Sequence, residues 1–161
     1  MSAPSAYHSS QVSADLIWEV TRNQNAYLVK RNTTGGVRFS RDPLNLTNVH
    51  ARKHAGFVND KAVGIAKSSN GGLTLTTKKA KHAQRPGVQA HNQTFAPTKS
   101  TRKTYKAVAT STASSNYRTD LRAAAVARAS ALRQAQRPKK DAPAAKPRGA
   151  KARKAAEVKE E

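Results

Sequence analysis

Of the 59 apolar residues in this chain, 29 are alanine, and no other feature limits its fold as strongly. Leu, Ile, Val and Phe together number 24 among 161 residues, about 15%, below the range where composition alone promises a robust core. The length argues for one compact domain with tails. Against that small apolar supply stand 30 Lys and Arg and only 9 Asp and Glu, a net charge of +21. Self-repulsion of that size calls for a polyanion to offset it. Cysteine is absent, so disulfide frameworks, thiolate zinc sites and cysteine nucleophiles are excluded. The longest apolar stretch, around Leu16, Ile17 and Trp18, is far too short for a membrane span or a signal-peptide core. The triplets Asn32-Thr33-Thr34, Asn45-Leu46-Thr47 and Asn92-Gln93-Thr94 therefore read as chance rather than glycosylation sites. Together these features describe an intracellular basic protein.

Patterning predicts an α+β fold: a small antiparallel sheet of two hairpins covered by short helices, two basic C-terminal helices and a disordered basic tail. Residues 1–12 are Ser/Ala-rich and read as a disordered arm. Residues 13–78 form the small α+β body. In it, Ser13 caps a short helix that gathers Leu16, Ile17 and Val20 on one face, with Trp18 at its edge. Tyr27, Val29, Val37 and Phe39 alternate with polar residues about a turn at Gly35 and Gly36, and Asp42-Pro43 opens a loop. Val63, Ile65, Leu73 and Leu75 share one face of a second hairpin that reverses at Asn70-Gly71-Gly72. Residues 79–98 lack periodicity and read as an extended basic loop.

Residues 99–137 regain helical spacing in two segments. The first sets a packing stripe of Thr101, Tyr105, Val108, Ala109 and Thr112 beside a basic strip of Lys99, Arg102, Lys103 and Lys106. The second starts near Thr119 and Asp120 and packs through Leu121, Ala124, Ala125, Leu132 and Ala135. Residues 138–161 form a Lys/Ala/Pro tail, expected to be disordered alone and to order only along RNA.

The distribution of charge is more telling than its amount. Residues 61–119 contain eleven basic side chains and no acidic one. Ordinary surfaces mix both signs, whereas a phosphate backbone welcomes such a run by releasing its condensed counterions. The basic groups occur in every segment, which suits an irregular folded RNA read through shape and phosphates better than a DNA groove read by one element. The candidate RNA-binding residues are Lys30, Arg31, Arg38, Arg41, Arg52, Lys53, Lys78, Lys79, Lys81, Arg85, Lys99, Arg102, Lys103, Lys106, Tyr117, Arg118, Arg122, Arg128, Arg133 and Arg137. Tyr117, beside Arg118 at a helix start, is a candidate for stacking on a base, while Trp18 and Tyr105 are expected to pack in the core.

Nothing in the sequence assembles an active site. His8, His50, His54, His82 and His91 are scattered, and the pair four apart lacks the glutamate of a metalloprotease helix. Gly64, Gly71 and Gly72 precede no Lys-Ser/Thr pair in phosphate-loop spacing. Asp15, Glu19, Asp42, Asp60 and Asp120 are dispersed, so no carboxylate pair offers acid–base work. The expectation is a protein without enzymatic activity.

Several stretches resemble a known family. Ser13-Ala14-Asp15-Leu16-Ile17-Trp18-Glu19-Val20, Arg22-Asn23 and Tyr27-Leu28-Val29-Lys30-Arg31 are similar to the opening of the eukaryotic large-subunit ribosomal protein family numbered twenty-eight. The similarity continues at Phe39-Ser40-Arg41-Asp42-Pro43-Leu44-Asn45-Leu46 and Lys61-Ala62-Val63-Gly64. It is closest at Tyr117-Arg118-Thr119-Asp120-Leu121-Arg122, and it runs through Ala129-Ser130-Ala131-Leu132 to Arg137-Pro138. The resemblance implies a structural component of the cytoplasmic large ribosomal subunit, with nucleolar transit during assembly and no cofactor. It further implies a solvent-side position and partners in ribosomal RNA and neighbouring ribosomal proteins, with no membrane or small-molecule substrate. Among the RNA-facing residues it implies Lys30, Arg31, Arg118, Arg122 and Arg133. The chain departs from the family pattern in its extension over residues 1–12, in Thr119 where a proline is common, and in its Ala-rich tail.

Two alternatives accompany this reading. A nucleolar large-subunit assembly factor shares the Asp-x-Ile-Trp type of opening but is expected to carry cysteines. A linker-histone-like DNA-packaging protein shares the Lys/Ala/Pro tail, yet the body here lacks a winged-helix pattern.

Overall fold

The computed structural model describes residues 12–33, 35–79 and 85–138, together with 141, 148–150 and 152. All but Val12 of the disordered arm expected over 1–12, most of the tail expected over 138–161, and Lys81 lie outside the described residues. Within them the chain is α+β. Its helices are α1 (Ala14–Thr21), α2 (Pro86–Gln89), α3 (Thr101–Ala109) and α4 (Arg122–Ala135), and its strands are β1 (Leu28–Lys30), β2 (Arg38–Ser40), β3 (Val63–Lys67), β4 (Leu73–Lys78) and β5 (Ala90–Phe95).

Both expected hairpins are present, in two sheets rather than one. β1 pairs with β2 in a two-stranded ribbon, and β3, β4 and β5 form a three-stranded antiparallel sheet in that order. Val63 and Ile65 on β3 and Leu73 and Leu75 on β4 are all buried, as their alternation requires. Ile65 sits opposite Leu75 in the register. Gly71 and Gly72 turn the chain at φ +77° and +78°, conformations that disfavour any residue with a Cβ.

The alanines now have a use. α4 lies against β3 and β4, and α3 packs on α4. Ala125 and Ala129 are wholly buried at that contact, where a methyl lets the helix backbone approach the strands closely. Phe95, Val108, Leu121 and Leu46 close the cluster. Large apolar side chains are thus concentrated in the sheet, and small ones in the helix that covers it.

Three expectations need correction. The segment 79–98 is not wholly an extended loop, because it holds α2 and β5. β5 carries Ala-His-Asn-Gln-Thr-Phe, whose side chains are exposed except for Phe95. Backbone pairing with β4 and one aromatic anchor hold it, so no alternating pattern marks it. Second, the face of α1 formed by Leu16, Ile17 and Val20 is turned outward, with exposures of 54%, 37% and 73%. The opposite side attaches the helix: Trp18 lies 4.9 Å from the His50 ring, and His50 Nε2 donates to the carbonyl of Arg22 at 2.7 Å. Ser13 does cap α1, its hydroxyl accepting from the amide of Leu16 at 3.2 Å. Third, Tyr27, Val37 and Phe39 stay partly exposed, and the buried residue of that ribbon is Ser40. The Arg31 guanidinium lies 5.6 Å from the centre of the Phe39 ring, and the Phe39 backbone bridges to Val49.

Candidate nucleic-acid interface

The charge of this chain is divided between side chains that brace the fold and side chains left to solvent. On α3, Thr104 and Val108 face inward. At about 100° per residue, Arg102, Lys103 and Lys106 then fall on the opposite side, and all three are exposed, as is Lys99, which the structure leaves outside the helix expected from residue 99. Lys99 lies just before the helix, with its ammonium 4.9 Å from the centre of the Phe95 ring. Buried Thr104 takes a place in the packing stripe that the sequence pattern left out. Its hydroxyl donates to the carbonyl of Ser100 at 3.1 Å, so a polar residue is satisfied at an inward position.

Five of the candidate residues spend their polar groups on the protein itself. Arg133 donates to the carbonyls of Pro97, at 2.8 Å, and Lys99, and approaches the Thr104 hydroxyl at 3.3 Å. It therefore ties α4 to the segment that launches α3. Arg118 grips both oxygens of Asp120 at 2.8 Å and reaches the carbonyls of Lys61 and Lys53 at 2.9 and 3.1 Å. Lys78 directs its half-buried ammonium at the carbonyls of Asn59 and Gly56, 2.9 and 3.3 Å away, and burial lowers its pKa from the ordinary lysine value. Arg52 binds Asp15 at 2.9 Å and Asn59 at 2.5 Å.

Tyr117 is the fifth. Its hydroxyl accepts from the amides of Ala62 and Lys78, each at 3.1 Å, and donates to the Lys78 carbonyl at 2.6 Å. It closes the end of the β3–β4 ladder, one step beyond the Val63–Thr77 pair. Burial raises its pKa first, with the backbone hydrogen bonds opposing. Its ring packs on the core, with the Lys61 ammonium 5.9 Å from the ring centre. The stacking face expected from its place beside Arg118 is thus largely given to structure.

The remaining cations are arranged differently. Lys30, Arg31, Arg38 and Arg41 are exposed along or just beyond the β1–β2 ribbon, with Arg38 also reaching the Asn23 side chain at 3.4 Å. Lys53, Lys79, Arg85, Arg122 and Arg137 are exposed, while Arg128 is partly buried on the apolar side of α4, with its Nε unpartnered. The ion pairs among the described residues are Arg22–Glu19, Arg52–Asp15 and Arg118–Asp120, and none includes a residue of α3. Among the described residues, no ion pair neutralises the exposed cations of this face. No cluster of three metal-ligating side chains occurs among the described residues, and none of their helices is long and apolar enough to cross a membrane.

Electrostatics around Arg118 have one consequence for stability. His54 lies below the usual histidine pKa because of burial first, then repulsion from Lys53 and Arg118, with Asp120 opposing. Its Nδ1 is buried and unpartnered. The folded state therefore prefers the neutral ring, and the unfolded chain takes up the proton first as pH falls through about 6.5. Stability present above that pH is lost as pH falls through the folded value. Melting curves of the full chain should shift downward from pH 7 to pH 5, and His54→Gln should flatten part of that shift. The Arg118–Asp120 pair persists throughout this window, because hydrogen bonding to Arg118 holds the Asp120 pKa below its ordinary value.

The model of the Ribosomal L28e protein family matches residues 16–135, which covers the sheets, the helices and the basic face. The chain belongs to the ribosomal L28e protein family. It is 45% identical over 130 residues to the large ribosomal subunit protein eL28 of Schizosaccharomyces pombe, spanning 80% of this chain and 96% of that relative. The eL28 protein of Dictyostelium discoideum is 33% identical over 135 residues, spanning 84% of this chain and 97% of the relative. That of Caenorhabditis elegans is 31% identical over 96 residues, 59% of this chain and 74% of the relative. Membership of the L28e family makes this a structural ribosomal protein and not an enzyme, as the dispersed acids and histidines of its sequence had indicated. The family match also ends at 135, where α4 ends.

Proposed function

We propose that this L28e protein is a structural constituent of the cytoplasmic large ribosomal subunit that binds and stabilises folded ribosomal RNA through phosphate contacts. The observation that carries the proposal is the exposed strip of Lys99, Arg102, Lys103 and Lys106, set opposite the buried side of α3 within a stretch free of acids. Each such cation that meets a phosphate releases counterions, and the association relieves the chain's own repulsion. Lys30, Arg31, Arg38, Arg41, Arg122 and Arg137 extend the contact beyond α3. Arg118, Arg133, Lys78, Arg52 and Tyr117 act by holding the surface in shape.

Ribosomal RNA and neighbouring ribosomal proteins are the partners, and assembly takes the chain through the nucleolus. Support for the mature particle over an assembly factor comes from relatives named as large ribosomal subunit proteins that align along 96–97% of their length. Sedimentation of a tagged copy tests the reading. The protein should travel with 60S subunits and polysomes. Recovery only in nucleolar precursors would replace the proposal with an assembly role, and recovery on chromatin would replace it with DNA packaging.

A further inference from the structure

Between α3 and α4 runs an open groove of about 640 Å³ that the strip of lysines does not explain. It is lined by Tyr105, Lys106, Thr110, Ser114 and the small Ala109 on one side, and by Arg122 and Val126 on the other. The backbone there departs from a regular helix. Residues Thr110–Ser114 form a π turn, and the amide of Ser115 reaches the carbonyl of Thr110 at 3.4 Å.

The cause is local. Buried Thr112 turns its hydroxyl back on the carbonyl of Val108 at 2.9 Å, and Ser115 does the same to Ser111 at 3.0 Å. Thr110 and Ser114 instead stay exposed on the groove. Such π turns are frequent where a helix must present side chains out of the regular register.

We infer that this groove receives one unpaired ribonucleotide, with its phosphate between Lys106 and Arg122, its ribose against the hydroxyls of Thr110 and Ser114, and its base on the Tyr105 ring. The inference rests on the RNA-binding reading above and adds a place and a chemistry to it. Two cations from different helices suit one phosphate, because neither is ion-paired among the described residues. Small residues admit a sugar–phosphate backbone that larger ones would keep away. Hydroxyls that both donate and accept match a ribose 2′-OH, the group that separates RNA from DNA. Tyr105 packs against the core as expected but also lines the groove, and the part of its ring left there offers sequence-tolerant stacking. An exposed lysine strip has none of these last three features, so it does not discriminate between the two sugars.

The test uses the full chain, a short RNA stem-loop with an unpaired loop, and the DNA of the same sequence, with affinities measured across a salt series. The wild-type chain should prefer the RNA. Thr110→Leu combined with Ser114→Leu fills the groove from two exposed positions without removing a charge. Affinity for RNA should fall about tenfold, the preference over DNA should vanish, and the salt slope should drop by about one, the share of the single phosphate that the groove holds. Thr110→Val, which keeps the shape and removes the hydroxyl, should weaken RNA binding alone, and Arg122→Gln should lower the salt slope by about one. Circular dichroism of each variant establishes that the fold is intact. A groove-filled variant that binds RNA as the wild type does, or that loses RNA and DNA equally, overturns the inference and leaves the phosphate-binding strip standing. Failure of the wild-type chain to bind RNA would overturn both readings together.

Discussion

Replacing Arg102 and Lys103 together by glutamate should weaken RNA binding by roughly one to two orders of magnitude near 0.1 M salt and flatten the salt dependence by up to about two units. The physics is direct. Each cation that meets a phosphate frees close to one condensed counterion, and the entropy of that release grows as salt is diluted. Both residues are exposed on the side of α3 opposite Thr104 and Val108, so the substitutions leave the core untouched. Neither takes part in an ion pair that glutamate would break. Folding should therefore be unaffected, and added Asp or Glu in a run of eleven cations should even reduce repulsion in the free protein. Reversing Lys53 in the same experiment is a useful contrast, since it lies in the Arg52–His54 turn outside the strip. Its effect should be near one unit or less. An unchanged slope for the Arg102→Glu, Lys103→Glu pair would remove the strip from the interface.

The largest effect on stability is expected at Gly72. Both of its backbone groups are held by one side chain: its amide donates to Gln136 Oε1 at 3.2 Å, and its carbonyl accepts from Gln136 Nε2 at 2.7 Å. That pair of bonds fastens the β3–β4 turn to the end of α4. The residue has φ +78°, and a Cβ built on it would collide with the carbonyl oxygen of Phe95 and lie 3.0 Å from Ala96 C. Gly72→Ala thus combines backbone strain of about 1–2 kcal/mol with displacement of β5 or loss of the Gln136 clamp, worth about 1–3 kcal/mol more. Gly71 is the internal control. It shares the positive φ, but the nearest group to its Cβ would be the Pro97 ring at 3.6 Å, an ordinary contact. Gly71→Ala should show the strain alone, so urea midpoints for the two variants should differ by the packing part. Equal midpoints would mean that β5 yields freely and does not constrain the turn.

The parts of this fold that could be read from the sequence are those where one residue type implies one local conformation. Alternating Val63, Ile65, Leu73 and Leu75 about paired glycines requires a hairpin with one apolar face, and the structure buries all four. Arg102, Lys103 and Lys106 share one side of a helix whatever that helix packs against, and Lys99 lies just before it. β5 escaped notice because its stability comes from main-chain bonds to β4, which leave no signature in Ala-His-Asn-Gln-Thr. The orientation of α1 is not legible in the sequence for a related reason. Apolar spacing identifies a stripe but not which side has a partner, and here Trp18 and His50 supply the attachment while Leu16 and Val20 face outward.

Composition and local pattern by themselves determined that this protein is a small α+β body with few large apolar residues and a large excess of cations. They also marked the helix that carries the strip. Tertiary structure alone decided which cations are available to a ligand. Arg118, Arg133, Lys78 and Arg52 look identical in sequence to Arg102 or Lys103, yet each also has donors that meet carbonyls or side chains 7 to 65 positions away. A hydrogen bond closed across such a separation depends on where the chain returns to itself, and neither charge nor periodicity records that.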